Sequence, residues 1–347
     1  MRYEEIFPQE LDEILSKSPI AYIPFGPLEY HDAHLPFGLD ALKAHQICLR
    51  TCKITGGVVL PPYYLSTNSL YWFTGTIDSP FELVRNVVRN LLDQLKKQGF
   101  KTVIVMSGHG AMDQNLAFKE VAELAQTEEF KVISTIEWEF VPDQGYLGEH
   151  AAKWETALLM ETHPELVKME RLKDTPLEQL KGIYGEDPRL TSSKLLGQRT
   201  IELVVERLAE EIKSVANGGN PKNKERHANW VKTAWPEPLE MIKDSLKVSG
   251  NDLTFSFYNP HLKSRYITGI RVTINGVSVK NEDLQLINSN ENKNIQCHTL
   301  GLYSGFYIRR LQQCTLNVMG RSISNLRDLV VEFEYGGVFY SKMAIKE

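Results

Sequence analysis

Lys101-Thr102-Val103-Ile104-Val105-Met106-Ser107-Gly108-His109-Gly110 decides how this chain reads. Its apolar, β-branched start reads as a strand buried on both faces, and that strand runs without a linker into a small turn bearing an imidazole. In open α/β sheets, ligands sit outside the carboxyl ends of the strands. A second place of the same kind lies upstream. Ile20-Ala21-Tyr22-Ile23-Pro24-Phe25 stops at Gly26-Pro27 and is followed by Glu29-Tyr30-His31-Asp32-Ala33-His34-Leu35-Pro36-Phe37-Gly38-Leu39-Asp40.

Outward from these two stretches the chain alternates. Residues 41–51 are amphipathic, and 57–60 is a second buried strand stopped by Pro61-Pro62. Leu83, Val87, Val88, Leu91, Leu92 and Leu95 repeat with a helical period that Gly99 closes. A helix over 115–127, a strand over 131–137 and a long amphipathic helix over 200–215 follow. This pattern predicts a three-layer α/β/α sandwich with a mainly parallel sheet. After a polar linker at 216–224 the character changes to half-buried strands, with Asn275-Gly276 joining two alternating runs as a hairpin. The expected organisation is an α/β domain over 1–240, which carries both polar clusters, and an all-β, sandwich-like domain over 241–347. His261, His298, Arg309 and Arg310 in the latter show no ligand spacing and read as surface.

The totals bound the function. At 347 residues and 42% hydrophobic, the chain can bury a large core and has room for two domains. A net charge of -5 with mixed signs offers no footprint for nucleic acid and no polybasic membrane patch, which favours small-molecule chemistry. Cys48, Cys52, Cys297 and Cys314 form no CxxC pair and read as reduced thiols. Residues 1–7 lack the character of a signal peptide and no apolar run reaches membrane-spanning length, so the expected location is the cytoplasm.

The polar clusters carry the chemistry. Neutral imidazoles and carboxylates hold zinc, manganese and iron, and open hydrolytic sites need several of them converging from different segments. Glu29 and His31 share one face of an extended segment. Asp40 follows a Leu-Pro-Phe-Gly turn that can fold the chain back, so that its two oxygens bridge a metal pair. Asp40 also reads as a helix cap, but capping alone does not ask for Glu29, His31 and His34. Farther on, Glu149 and His150 precede a helix, where Glu149 complements the helix dipole. His150 can reach the same cleft, while periodicity alone puts Glu155 on the solvated surface.

These motifs carry a resemblance. The stretch 26–40, Phe73-Thr74-Gly75-Thr76-Ile77, Ser107-Gly108-His109-Gly110, His150-Ala151 with Glu155-Thr156, and Gly185-Glu186-Asp187-Pro188-Arg189 together resemble the creatininase (creatinine amidohydrolase) family over roughly residues 15–215. The resemblance implies two divalent metal ions per chain, Zn2+, Mn2+ or Fe2+, oligomeric assembly, and hydrolysis of cyclic or linear amide-type C–N bonds. It implies Glu29, His31, Asp40 and His109 as ligands, with Asp40 the bridge, and His150 as proton shuttle. Creatininase proper has a ligand Glu where this chain has Ala111. The resemblance makes Glu155 its replacement, against the periodicity. Ala111-Met112-Asp113 and Tyr64-Leu65 depart from the family pattern and weigh against creatinine itself as the substrate. His34 then reads as a structural residue behind the ligands.

The expected mechanism is metal-assisted water attack, with His150, aided by Glu149, protonating the leaving group. Tyr71, Trp72 and Trp154 are candidates to line the pocket, with ordinary core packing an equal reading. Two other functions compete with amide hydrolysis: cleavage of a ring C–C bond in an oxidised cyclitol or sugar, and an inactive scaffold on the same fold.

Overall fold

Strands feed helices in turn through the first part of the chain. α1 (Pro8–Lys17) leads to β1 (Ile20–Gly26), and α2 (Leu39–Thr55) to the short β2 (Val58–Val59) and β3 (Tyr63–Tyr64). α3 (Phe81–Lys97) leads to β4 (Thr102–Ser107), and α4 (Met112–Ala125) to β5 (Lys131–Ile136). Then come α5 (Lys153–Thr162), the single turn α6 (Pro188–Thr191), α7 (Lys194–Ala216) and α8 (Asn223–Ala234). The structure, a computed structural model, describes residues 1–234, 239–242, 244–259, 265–288, 293–300, 306–308, 312–320, 326–335 and 338–346. It divides into two compact units, Met1–Trp230 and Val231–Glu347.

All pairings in the first unit's sheet are parallel. β2 and β3 lie along one edge of β1, β4 along the other, and β5 beyond β4. The lane beside β1 is broken in two at Pro61-Pro62, whose nitrogens have no hydrogen to donate. Every residue of β1 and β4 is buried, so both faces are covered, as the continuous apolar runs required. On one face Ala21, Ile23, Phe25, Val103, Val105 and Val132 pack with Ile14 of α1, Val88 and Leu92 of α3, and Phe118 of α4. On the other, the Tyr22 hydroxyl hydrogen-bonds to Thr55 of α2. α5 and α7 complete that layer, and they approach so closely that a Cβ on Gly197 would lie 1.9 Å from the Ala157 carbonyl oxygen. The three-layer expectation therefore holds.

The second unit consists of β6 (Glu240–Met241), β7 (Lys247–Ser249), β8 (Asp252–Tyr258), β9 (Arg265–Ile267), β10 (Gly269–Ile274), β11 (Val277–Ser278), β12 (Leu284–Asn288), β13 (Lys293–Gln296), β14 (Phe306–Ile308), β15 (Gln313–Val318), β16 (Asp328–Tyr335) and β17 (Val338–Lys346). One antiparallel sheet has the order β13-β12-β15-β8-β6, with β7 also on β8. A second has the order β11-β10-β16-β17, and β9 pairs with β14. Burial alternates along β8, β12, β15 and β16, as expected for strands wet on one side. Phe257 of β8 and Phe333 of β16 meet with ring centroids 4.9 Å apart, so the inner faces of the two larger sheets pack on each other. Asn275 and Gly276 both have positive φ, at 49° and 78°, and turn β10 into β11 as the Asn-Gly signal predicts. His298 is exposed, whereas His261, Arg309 and Arg310 lie outside the described residues. All four cysteines are buried. Among the described residues no helix is long and apolar enough to cross a membrane.

Charge holds the first turns of α8 in place within the first unit. Arg226 pairs with both oxygens of Glu211 on α7 and donates to the Ser134 carbonyl at 3.0 Å. Glu139, just after β5, takes Lys119 at 2.9 Å and lies 3.4 Å from His227 Nδ1. Burial alone would raise the Glu139 carboxyl, but Lys119, His227 and Arg226 hold it down to about 2. Since the folded value lies below the unfolded one, the stability Glu139 supplies is present above pH about 4.5 and is lost as pH falls toward about 2, on the order of 3 kcal/mol in all. Thermal unfolding of the wild type and Glu139→Gln between pH 2 and 6 checks this: the wild type should lead at pH 6, and the gap should narrow below about pH 4.5.

Candidate metal centre

Three parallel strands end at one place. β1 leads to Glu29, β4 to His109, and β5 to Glu137, its next residue. The Glu29 N–H donates to the Phe37 carbonyl at 2.8 Å, which closes the loop between them and returns the chain to start α2 beside the strand ends. Two glycines permit that approach. A Cβ on Gly26 would lie 2.3 Å from the Ala41 nitrogen, and one on Gly108 would lie 2.0 Å from the Asp40 carbonyl oxygen. Asp40, in the first turn of α2, is thereby held between the ends of β1 and β4.

Its two oxygens face different partners. Asp40 Oδ2 is 3.4 Å from His109 Nδ1, which is 3.2 Å from Glu29 Oε2. Asp40 Oδ1 is 3.5 Å from His31 Nε2, which is 3.7 Å from Glu155 Oε2. Among the described residues, Glu29, Asp40 and His109 form one group of possible ligand atoms within 4.8 Å of one another, and His31, Asp40 and Glu155 form another. A third group joins Glu29, His31 and His150. Glu29 Oε2, His31 Nε2 and Asp40 Oδ1 are buried without a hydrogen-bond partner, a costly arrangement that a cation relieves. Imidazole nitrogen and carboxylate oxygen suit zinc, manganese or iron. These residues fit a divalent metal.

Neighbours orient the donors. His31 Nδ1 lies 2.9 Å from the Glu29 carbonyl, the bond that would leave its Nε2 lone pair free toward the cluster. Glu29 Oε1 accepts the Leu70 N–H at 2.6 Å. Glu155, buried in the first turn of α5 rather than solvated, takes the Ala151 N–H on Oε2 at 2.7 Å and Lys43 on Oε1 at 2.6 Å. Ala151 reaches this position with φ at +50°, a left-handed strain borne next to the site. Burial works against a charged His31, yet Asp40, Glu155 and Glu29 raise it to about 9, and His109 likewise goes well above its ordinary value. The pocket selects positive charge.

Lys43 and Glu137 are the residues that sequence reasoning missed. Lys43 is fully buried, with its ammonium 3.0 Å from Glu137 and 3.5 Å from Asp40. Glu137 also accepts the Tyr146 hydroxyl at 2.8 Å. The signal for Lys43 was its place three residues after Asp40, on the same helical face. For Glu137 it was a carboxylate directly after a parallel strand.

The other expected residues fall around this centre. The His150 ring stacks on His31 with centroids 4.3 Å apart, its Nε2 is 2.8 Å from the Tyr30 carbonyl, and its Nδ1 is 3.9 Å from Glu29 Oε2. Burial, and then His31, lower its pKa. Glu149 caps α5, accepting the N–H groups of Trp154 at 2.5 Å and Glu155 at 3.0 Å; burial and the Glu155 charge push its carboxyl up to about 8. His34 is buried behind the ligands, 3.0 Å from the Thr156 hydroxyl. Tyr71 and Trp72, at 65% and 60% exposed, stand on the loop whose Leu70 binds Glu29. Trp154 is buried and stacked on Tyr146 at 5.1 Å.

The family model described as creatininase, creatinine amidohydrolase, matches residues 4–212. Creatinine amidohydrolase of Pseudomonas putida is 25% identical, with 56% of this chain and 88% of that protein covered. A crystal structure of creatinine amidohydrolase (creatininase) superposes with a TM-score of 0.54 at 22% identity, covering 61% of this chain and 96% of the other. Another structure, described as "Creatininase Mn", gives 0.53 at 23% identity, covering 61% and 97%. The likeness to these solved structures concerns the fold. The second unit lies beyond the family match.

Gly108→Ala tests how Asp40 is placed. Its methyl group would press on the Asp40 backbone, so we expect a loss of about 2 kcal/mol in stability and reduced binding of divalent metal, read by thermal unfolding and equilibrium dialysis.

Proposed function

The chain belongs to the creatininase family of metal-dependent hydrolases, and from that premise we propose that it hydrolyses a cyclic or linear amide-type C–N bond in a small molecule, with two divalent cations as cofactors. The observation that carries this reading is the division of Asp40, one oxygen toward Glu29 and His109 and the other toward His31 and Glu155. Glu29, Asp40 and His109 would hold one ion, and His31, Asp40 and Glu155 the other. Such a pair supplies polarisation of a substrate carbonyl and a lowered pKa for water, bringing hydroxide within reach near neutral pH.

The chain's own groups do the rest. Leu70 N–H fixes Glu29, and the Glu29 carbonyl fixes the His31 ring. With His150 Nε2 donating to the Tyr30 carbonyl, its Nδ1 presents a lone pair toward Glu29 and the cluster. Burial favours this neutral form. Nδ1 takes a proton from the attacking water and hands it to the leaving nitrogen as the C–N bond breaks. Glu149 keeps the start of α5 in place, so that His150 and Glu155 face the same centre. Tyr71 and Trp72 form the outer wall of the pocket, and Trp154 backs it through Tyr146.

His31→Ala and Asp40→Ala should lose both bound metal and hydrolysis in a screen across cyclic amides and formamides. His150→Gln should keep its metal and its melting temperature while slowing hydrolysis by about 10²- to 10⁴-fold. Full activity and metal content in the first two variants would falsify the assignment.

A further inference from the structure

His150 is joined to a residue that the roles above leave out. Its N–H donates to the Tyr184 carbonyl at 3.1 Å and its carbonyl accepts the Tyr184 N–H at 2.9 Å, an antiparallel bridge between two loops. The stretch around Tyr184 is pinned on either side of that bridge. Gly182 N–H donates to Asp32 Oδ2 at 2.9 Å, and Gly185 packs so closely on the start of α5 that a Cβ there would lie 2.7 Å from the Ala152 Cβ. Tyr184 is thus held in one place. Its ring lies against the His150 ring, with centroids 5.9 Å apart and planes tilted by 48°, yet the residue stays 50% exposed. The side chain therefore stands at the solvent edge of the centre. Burial of its inner part and the charge of Glu29 raise its pKa, so at neutral pH the hydroxyl keeps a proton to give. Among the described residues that hydroxyl has no hydrogen-bond partner.

We propose that Tyr184 determines specificity in this site: its hydroxyl donates a hydrogen bond to a second carbonyl oxygen of the substrate, which makes cyclic imides the preferred amides. This rests on the reading of amide hydrolysis above. The order of groups on the protein matches the order of atoms in an imide. The cation positions meet the carbonyl that is attacked, His150 meets the nitrogen that leaves, and Tyr184, bridged to His150, meets the carbonyl on the far side of that nitrogen. Water adds to the first carbonyl carbon and the C–N bond breaks. Its electron pair goes to the nitrogen and is shared with the second carbonyl oxygen, where the hydrogen bond from Tyr184 stabilises it. The proton that His150 Nδ1 took from the water goes to the nitrogen, leaving a carboxylic acid and a primary amide. A simple lactam has no second carbonyl and leaves the phenol without an acceptor. The flat imide ring also suits the aromatic face of Tyr184.

Titration of the Zn2+-loaded full chain with succinimide and with 2-pyrrolidinone, followed by ligand-observed NMR, tests this, since the two rings differ by one carbonyl group. We expect the wild type to bind succinimide about five- to tenfold more tightly, the worth of one hydrogen bond that water can replace at a half-exposed residue, and to release succinamate. Tyr184→Phe keeps the ring and the backbone bridge, so metal content and melting temperature should stay as they are. It should lose the margin for succinimide while changing 2-pyrrolidinone by less than about twofold. Tyr184→Leu, which lacks the ring, should weaken both probes. A Phe variant that keeps the wild-type margin, or weakens both probes equally, overturns the hydrogen bond, and unchanged affinities in Tyr184→Leu overturn any contact with the substrate. A wild type that does not bind succinimide overturns the imide class. Amide hydrolysis itself falls only if the wider screen across cyclic amides and formamides yields no hydrolysed amide, so the two failures are distinct.

Discussion

Four buried carboxylates, Glu29, Asp40, Glu137 and Glu155, converge at the ends of three strands, and much of the first unit is arranged around making that tolerable. An unpaired buried carboxylate costs several kcal/mol, so positive charge has to be interleaved among them. Lys43 supplies one unit, the amide ends of α2 and α5 add partial charges beside Asp40 and Glu155, and His31 and His109 are drawn toward their charged forms. A bound metal would take the place of those imidazole protons, since His31 and His109 can ligate only in their neutral forms. The close approach of α2 to Gly26 and Gly108, the strained Ala151 and the Glu149 cap all serve to keep these charges in register.

How much of this was legible in the sequence follows from the same physics. β1 and β4 were readable because a strand covered on both faces must be apolar throughout, and Asn275-Gly276 because its turn needs positive φ twice. Glu29, His31, Asp40 and His109 were readable because parallel strands deliver their following loops to one side of the sheet. Periodicity failed for Glu155, since a charged residue on a short helix is assigned to solvent unless a partner distant in sequence is known, here Lys43. Lys43 and Glu137 were passed over for that reason: Lys43 is acceptable in the interior because of Glu137 and Glu155, and Glu137 because of Lys43 and Tyr146. Glu149 carried two readings, complement of the helix dipole and aid to His150, and its carboxylate accepts two amides at the start of α5, the contact that the first of them names.

The hydrogen bond from the Leu70 N–H to Glu29 Oε1 joins an exposed aromatic loop to a buried carboxylate. The same loop is stitched at Thr76 to the Tyr30 N–H and at Ile77 to the Leu28 carbonyl, so it is tied on both sides of Glu29. A molecule leaning on Tyr71 or Trp72 therefore cannot displace the loop without tugging the carboxylate beneath it. The exposed loop and the inner electrostatics are mechanically one piece. A change of loop sequence that shifts Leu70 will also shift Glu29, so the exposed loop and the buried centre change together.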